Sequence, residues 1–208
     1  MNNTGKILLG FFLLFGIFSE LTAREAGSVA EININEEDLE VDYAAVKNWS
    51  RNSQTFFGAG FLNAYDDDGI KNTLYNVTLT QVGYTDIKGV AFGIGVRSVF
   101  GLLNEELNID GDGKEKEVLA LGMRIKLLYT FPLRVKTILS GTYNYAPKSL
   151  SFSPDLERYA EYRVELNIEP IDGGWVYAGM RGIDFKFETH DDAYTLNKTA
   201  YAGIKIYF

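Results

Sequence analysis

The residues with the most evident chemical potential lie in one acidic stretch. Residues 108–117 read NIDGDGKEKE. Asn108, Asp110 and Asp112 put oxygen ligands at alternate positions, and Gly113 permits a sharp turn after them. This is the opening half of a calcium loop, in which alternate side chains reach one hard cation. The closing acid belongs at the twelfth position, and here that position is Leu119. Glu115 or Glu117 would have to substitute for it. The expected metal site is therefore Ca2+ on Asn108, Asp110 and Asp112, set against a solvated acidic loop with glycine turns. His190 is the one histidine, and Asp191 and Asp192 follow it. An imidazole oriented by a carboxylate is a general base if a nucleophile comes within reach. Ser149, Ser151 and Ser153 are the hydroxyls in another loop, and Asp66, Asp67 and Asp68 are acids in a third. Nothing in the spacing joins these groups, so no catalytic residue is assigned.

The elements that carry these loops read as strands. Apolar residues recur at every second position, the period of a pleated strand. Ala30, Ile32 and Ile34 alternate with Glu31, Asn33 and Asn35. Leu119, Leu121, Met123, Ile125 and Leu127 alternate with Ala120, Gly122, Arg124 and Lys126. Ala160, Tyr162, Val164, Leu166 and Ile168 alternate with Glu161, Arg163, Glu165 and Asn167. Such segments recur along the chain and give ten candidate strands, or eight if residues 24–50 are a tail. Short connections at 85–88, 130–132 and 169–174 interleave with long polar ones at 102–116, 146–157 and 188–197. Short turns at one end and long loops at the other are the layout of an outer-membrane barrel.

Composition agrees with this architecture. The chain has 46% hydrophobic residues, enough to exclude disorder, yet 23% are charged. A globular core does not need 13 Tyr, 14 Phe and 21 Gly together with so many charges. A membrane barrel does, with aromatic girdles, an apolar outside and a polar inside. The net charge of -8 argues against nucleic acid, which requires a basic surface. With no Cys there is neither a disulfide, nor a thiolate metal site, nor a lipidated cysteine.

Cost decides which parity meets lipid. Arg or Lys at mid-membrane on the lipid face costs about 2–4 kcal/mol. Arg124, Lys126, Glu161, Arg163, Glu165, Arg181 and Lys205 must then point inward, where their mixed signs can pair. A barrel of eight to ten strands is filled or nearly filled by side chains, so an open diffusion pore is not expected. A soluble lipocalin-like barrel reverses the faces, with the charges in water and the apolar parity inside.

The two ends of the chain favour the membrane. Lys6, the apolar run of residues 7–18 and a small residue at Ala23 form the three-part layout of an export signal over residues 1–23. The run is too short for a spanning helix, which needs about 20 residues. Residues 201–208 read YAGIKIYF, apolar at alternate positions and ending in Phe208. This is the pattern of a closing outer-membrane strand, recognised by the barrel-insertion machinery.

Several segments resemble the YfaZ family of small outer-membrane proteins. They are GYTDIKGVAFGIGVR at 83–97, YAPKSLSF at 145–152, YAEYRVELNIEPIDGGWVYAGMRG at 159–182 and the closing YAGIKIYF. The resemblance covers most of residues 24–208 and is clearest from about residue 75 onward. It implies an integral outer-membrane barrel and brings no catalytic residue with it.

The expectation is thus an all-β, closed antiparallel transmembrane barrel over residues 24–208, with a structural or loop-mediated binding role. Its partners would be outer-membrane lipids and lipopolysaccharide, with divalent cations bridging to the acidic loops. The alternatives are a soluble periplasmic barrel for a small apolar ligand, and a lipid-A-modifying or proteolytic barrel using His190.

Overall fold

Ten strands pair in an unbroken antiparallel ring in the computed structural model of the chain, which describes residues 26–35, 38–50, 52–65, 71–103, 116–153, 155–188 and 193–208. They are β1 (Ala26–Ile34), β2 (Leu39–Ser50), β3 (Ser53–Tyr65), β4 (Lys71–Tyr84) and β5 (Val90–Leu103), then β6 (Lys116–Phe131), β7 (Lys136–Pro147), β8 (Leu156–Ile171), β9 (Gly174–Phe187) and β10 (Tyr194–Tyr207). Each strand pairs with the next in sequence, and β1 closes the ring against β10. Closure leaves no sheet edge to be satisfied by lipid, which cannot hydrogen-bond a bare backbone. The export segment, residues 1–23, lies outside the described residues.

Connections are sorted by end, as the sequence suggests. Turns 51–52, 85–89, 132–135 and 172–173 share one end with both termini. Connections 35–38, 66–70, 104–115, 148–155 and 188–193 share the other, so the three long ones fall together but 35–38 and 66–70 are as short as the turns opposite. At the turn between β8 and β9, Gly173 takes φ 74, a left-handed conformation that L side chains rarely adopt.

The faces are as the cost argument requires. Ile32, Tyr43, Leu79, Ile94, Ile125, Leu139, Val164, Met180 and Ile204 are all exposed on the outer wall, and they come from nine different strands. Glu161, Arg163, Glu165, Arg181 and Lys205 are buried in the lumen. The soluble reading needs the opposite arrangement.

The hairpin β1–β2 is shorter than the rest of the wall. The last pair between β1 and β10 is Ile34↔Ala202, although β10 begins at Tyr194. Above the hairpin tip, the lumen is therefore walled by β3–β10 alone. An apolar layer fills this loop-end storey. It includes Leu62, Val99, Leu103, Leu156, Ile183, Phe185, Phe187 and Leu196, and all its members come from β3–β10. The ring has ten strands, and the alternative of eight with residues 24–50 as a tail does not hold, because β1 and β2 pair within the ring; only above the hairpin tip do β3–β10 alone form the wall.

Candidate functional site

Below the apolar layer the lumen is polar. Six cations (Arg97, Arg124, Lys126, Arg163, Arg181, Lys205) and six acids (Glu31, Asp38, Glu40, Asp42, Glu161, Glu165) lie here among the described residues. Period-2 alternation brings them here, since one parity of each strand faces in.

Glu40 of β2 is fully buried and stands among three guanidinium groups. Its Oε2 accepts from Arg163 Nη1 at 2.9 Å, Arg181 Nη1 at 2.7 Å and Asn33 Nδ2 at 2.9 Å. Arg163 Nη2 donates to Oε1, and Arg97 Nη2 lies 4.0 Å from it. Glu161 is the second centre. Arg163 Nε donates to it at 2.6 Å and Asn144 Nδ2 at 3.2 Å, and the Tyr159 hydroxyl donates as well. Arg97 Nε lies 3.1 Å from Glu161 without hydrogen-bond alignment. Asp38, at the hairpin tip, accepts from Arg181 Nη2 at 2.9 Å and Asn197 Nδ2 at 2.6 Å. A crevice beside Asn33, Asp38, Glu40 and Arg181 has no room for a water molecule.

A second network lies toward the turns. Lys205 Nζ sits 3.1 Å from Glu31 and 3.8 Å from Glu165, and it donates to Asn167 Oδ1 at 3.1 Å. Tyr201 donates to Glu165 at 2.8 Å. Two layers of side chains thus lie in series in the lumen, an apolar one and a hydrogen-bonded ionic one.

Of the seven charges expected to point inward, Glu161, Arg163, Glu165, Arg181 and Lys205 are joined by ion pairs in these networks. Arg124 and Lys126 face the same lumen without one. Sequence reasoning missed Glu40, Asp38 and Arg97 as members. The signal was present at Glu40, a charge between apolar Leu39 and Val41.

The loop candidates divide. Asn108, Asp110 and Asp112, the expected calcium ligands, lie outside the described residues, as do His190, Asp191, Asp192 and Asp66 to Asp68. The serines are described. A short helical turn (Lys148–Leu150) leads into a segment laid on β6: Ser151 bridges to Ala120, and Phe152 N donates to Leu119 O at 2.8 Å. Ser153 Oγ accepts from Leu119 N at 2.7 Å, so this hydroxyl serves to anchor the loop. Lys148 donates to Glu188 here, and that hydrogen bond raises the pKa of the ammonium above its ordinary value.

No protein-family model matches the chain. No curated protein matches it. Among solved structures, a chain from work on the in-meso crystallization of membrane proteins aligns over 88% of this chain and 83% of its own, at 9% identity and a TM-score of 0.37. The β-domain of the Bordetella autotransporter BrkA aligns over 87% of this chain and 97% of its own, at 13% identity and a TM-score of 0.35. These likenesses are distant, and the barrel assignment rests on the closed strand pairing itself.

Proposed function

We propose that this chain is an integral outer-membrane barrel, exported through the periplasm, with a structural or loop-mediated binding role and no open pore. One observation carries the reading: exposed apolar side chains surround the wall while the charges turn inward. A soluble protein rarely exposes more than a few hundred Å2 of continuous apolar surface, whereas a membrane barrel requires it. Strands β2–β10 have 12 to 16 residues, more than the roughly 9–11 that cross a bilayer. The two layers of the lumen support a role outside it, and the resemblance to the YfaZ family supports the same placement.

The loop end is where contact with lipopolysaccharide would occur. Ca2+ at Asn108, Asp110 and Asp112 is part of this proposal, and terbium luminescence on the protein in detergent tests it. The membrane reading itself is tested by fractionation. The protein should stay in the pellet after a carbonate wash and shift its gel mobility on heating. Release into the soluble periplasmic fraction would sink it. An enzymatic role is a rival only if a barrel-dependent lipid-A change or proteolysis disappears in His190→Ala.

A further inference from the structure

Four of the six lumen cations have a carboxylate partner. Arg97 meets Glu161, Arg163 meets Glu40 and Glu161, Arg181 meets Asp38 and Glu40, and Lys205 meets Glu31 and Glu165. Arg124 and Lys126, two residues apart on the inner face of β6, form no hydrogen bond or ion pair among the described residues. Arg124 Nε and Nη1 are buried and unsatisfied. Both residues are half-buried, so the cost of leaving a buried N–H unsatisfied falls on the Arg124 guanidinium, and two neighbouring like charges add repulsion.

The acids nearby are already engaged. Glu161 is held by Arg97 and Arg163, and Glu31 and Glu165 by Lys205. Asp42, from β2, accepts from Asn76 at 3.3 Å. Asn144 stands opposite Arg124 on β7, and its Oδ1 is also unsatisfied. That oxygen can take one N–H, but it is neutral and cancels no charge.

The strands beside the two cations pack closely, since a Cβ at Gly95 would lie 2.1 Å from Leu79 O. Gly95 and Gly93 of β5 stand opposite Arg124 and Lys126. Gly122 precedes Arg124 on the same face, and a Cβ there would be in ordinary contact with the Tyr145 backbone at 3.4 Å. Thr142 stands opposite Lys126, and Thr80 lies across β5 opposite Gly95. Both threonines are buried, and their hydroxyls make no hydrogen bond among the described residues. The constellation therefore offers two positive charges and two hydroxyl donors on one face of adjoining strands.

We propose that a small inorganic anion of halide size binds inside the lumen between Arg124 and Lys126, with the Thr142 and Thr80 hydroxyls as further donors. The anion supplies a direct contact partner to two cations that no carboxylate touches among the described residues. The proposal depends on the folded barrel and not on its cellular location.

The test uses the purified protein in detergent micelles at constant ionic strength, in sodium bromide, chloride or gluconate. Unfolding is followed by loss of the fast-migrating, unheated gel form. The midpoint should rise saturably with bromide and chloride and stay flat with gluconate, which is too large for the site. Arg124→Gln and Lys126→Met should each abolish the halide increment. Lys126→Met should also unfold later than the wild type in gluconate, because it removes an uncompensated charge. If either variant fails to fold, Thr142→Val, which keeps both charges, should weaken the increment, and crystals in bromide should show an anomalous peak beside the Arg124 guanidinium. Equal wild-type midpoints in bromide and gluconate, or a halide increment that survives in the variants, would overturn the proposal.

Discussion

Glu40 and Arg163 tie β2 to β8 across the lumen as a bidentate pair, with Nη1 to Oε2 at 2.9 Å and Nη2 to Oε1, although they stand 123 residues apart in sequence. A bidentate guanidinium–carboxylate contact fixes geometry as well as charge. It joins the short hairpin to the long-stranded wall, so the hairpin is held from inside as well as along its edges.

Removing one partner of a buried pair leaves the other charge stranded, at a cost of about 3–5 kcal/mol. Glu40→Ala takes one carboxylate from three guanidinium groups, each of which keeps another (Arg97 and Arg163 at Glu161, Arg181 at Asp38), and should lie at the lower end of that range. The measurement is the urea midpoint of the detergent-folded barrel. Glu157→Ala, which removes the half-exposed partner of Lys186, should shift it by no more than about 1 kcal/mol. Equal effects from the two substitutions would contradict the ionic layer.

These residues also show what a sequence can display. Alternation at Met123, Ile125 and Leu127 against Arg124 and Lys126 exposes the strand and both its faces, because period 2 is local. The pairing of Glu40 with Arg163 is not local, and no feature within a few residues of either signals it. Asp38 reads as a turn residue from its neighbours Glu36 and Glu37, yet it accepts from Arg181 and Asn197 inside the lumen. The hairpin height is set by register with β10 and β3, which composition does not record. The weak legibility of residues 24–50 follows from the same cause: β1 is only 9 residues long, so its alternation is brief.

The outer wall predicts a depth-dependent penalty. Ile125 is 44% exposed in the middle of β6, and Ile171 is 71% exposed at the turn end of β8. Ile125→Arg should cost about 2–4 kcal/mol in lipid vesicles, and Ile171→Arg about 0–1 kcal/mol. Refolding titrations in vesicles measure both. In a soluble barrel, each would be a surface change within about 0.5 kcal/mol, so two small effects would reject the membrane reading.

The two lumen layers lie in series, and we expect either alone to block ion flow. The wild-type protein should be silent in planar bilayers. Phe185→Ala opens the apolar layer at a cost of about 3–5 kcal/mol but leaves the ionic layer in place, so it should also be silent. Glu40→Ala disorders the ionic layer below an intact apolar one and should not conduct either. Steady conductance should appear only when both changes are combined. A conducting wild-type barrel would overturn the closed-lumen reading.

The closing seam separates folding from insertion. Ser28 N donates to Phe208 O at 2.7 Å, and Phe208 N donates to Ser28 O at 2.9 Å, so the last residue fastens β10 to β1 through its backbone. Phe208 as a residue is 70% exposed, so its side chain contributes little to the barrel itself. In a membrane its ring meets lipid, where full burial is worth about 1.5–3 kcal/mol. Phe208→Ala keeps both hydrogen bonds and removes only the ring. It should fold in detergent with the wild-type urea midpoint, yet insert less completely into vesicles carrying the barrel-insertion machinery. Deleting Phe208 removes the hydrogen bonds as well and should lower the detergent midpoint too. The measurements are the heat-modifiable fraction in vesicles and the urea midpoint in micelles. If Phe208→Ala inserts as fully as the wild type, the aromatic end is not part of the insertion signal; if it destabilises the barrel in micelles, the ring packs where the structure leaves it exposed.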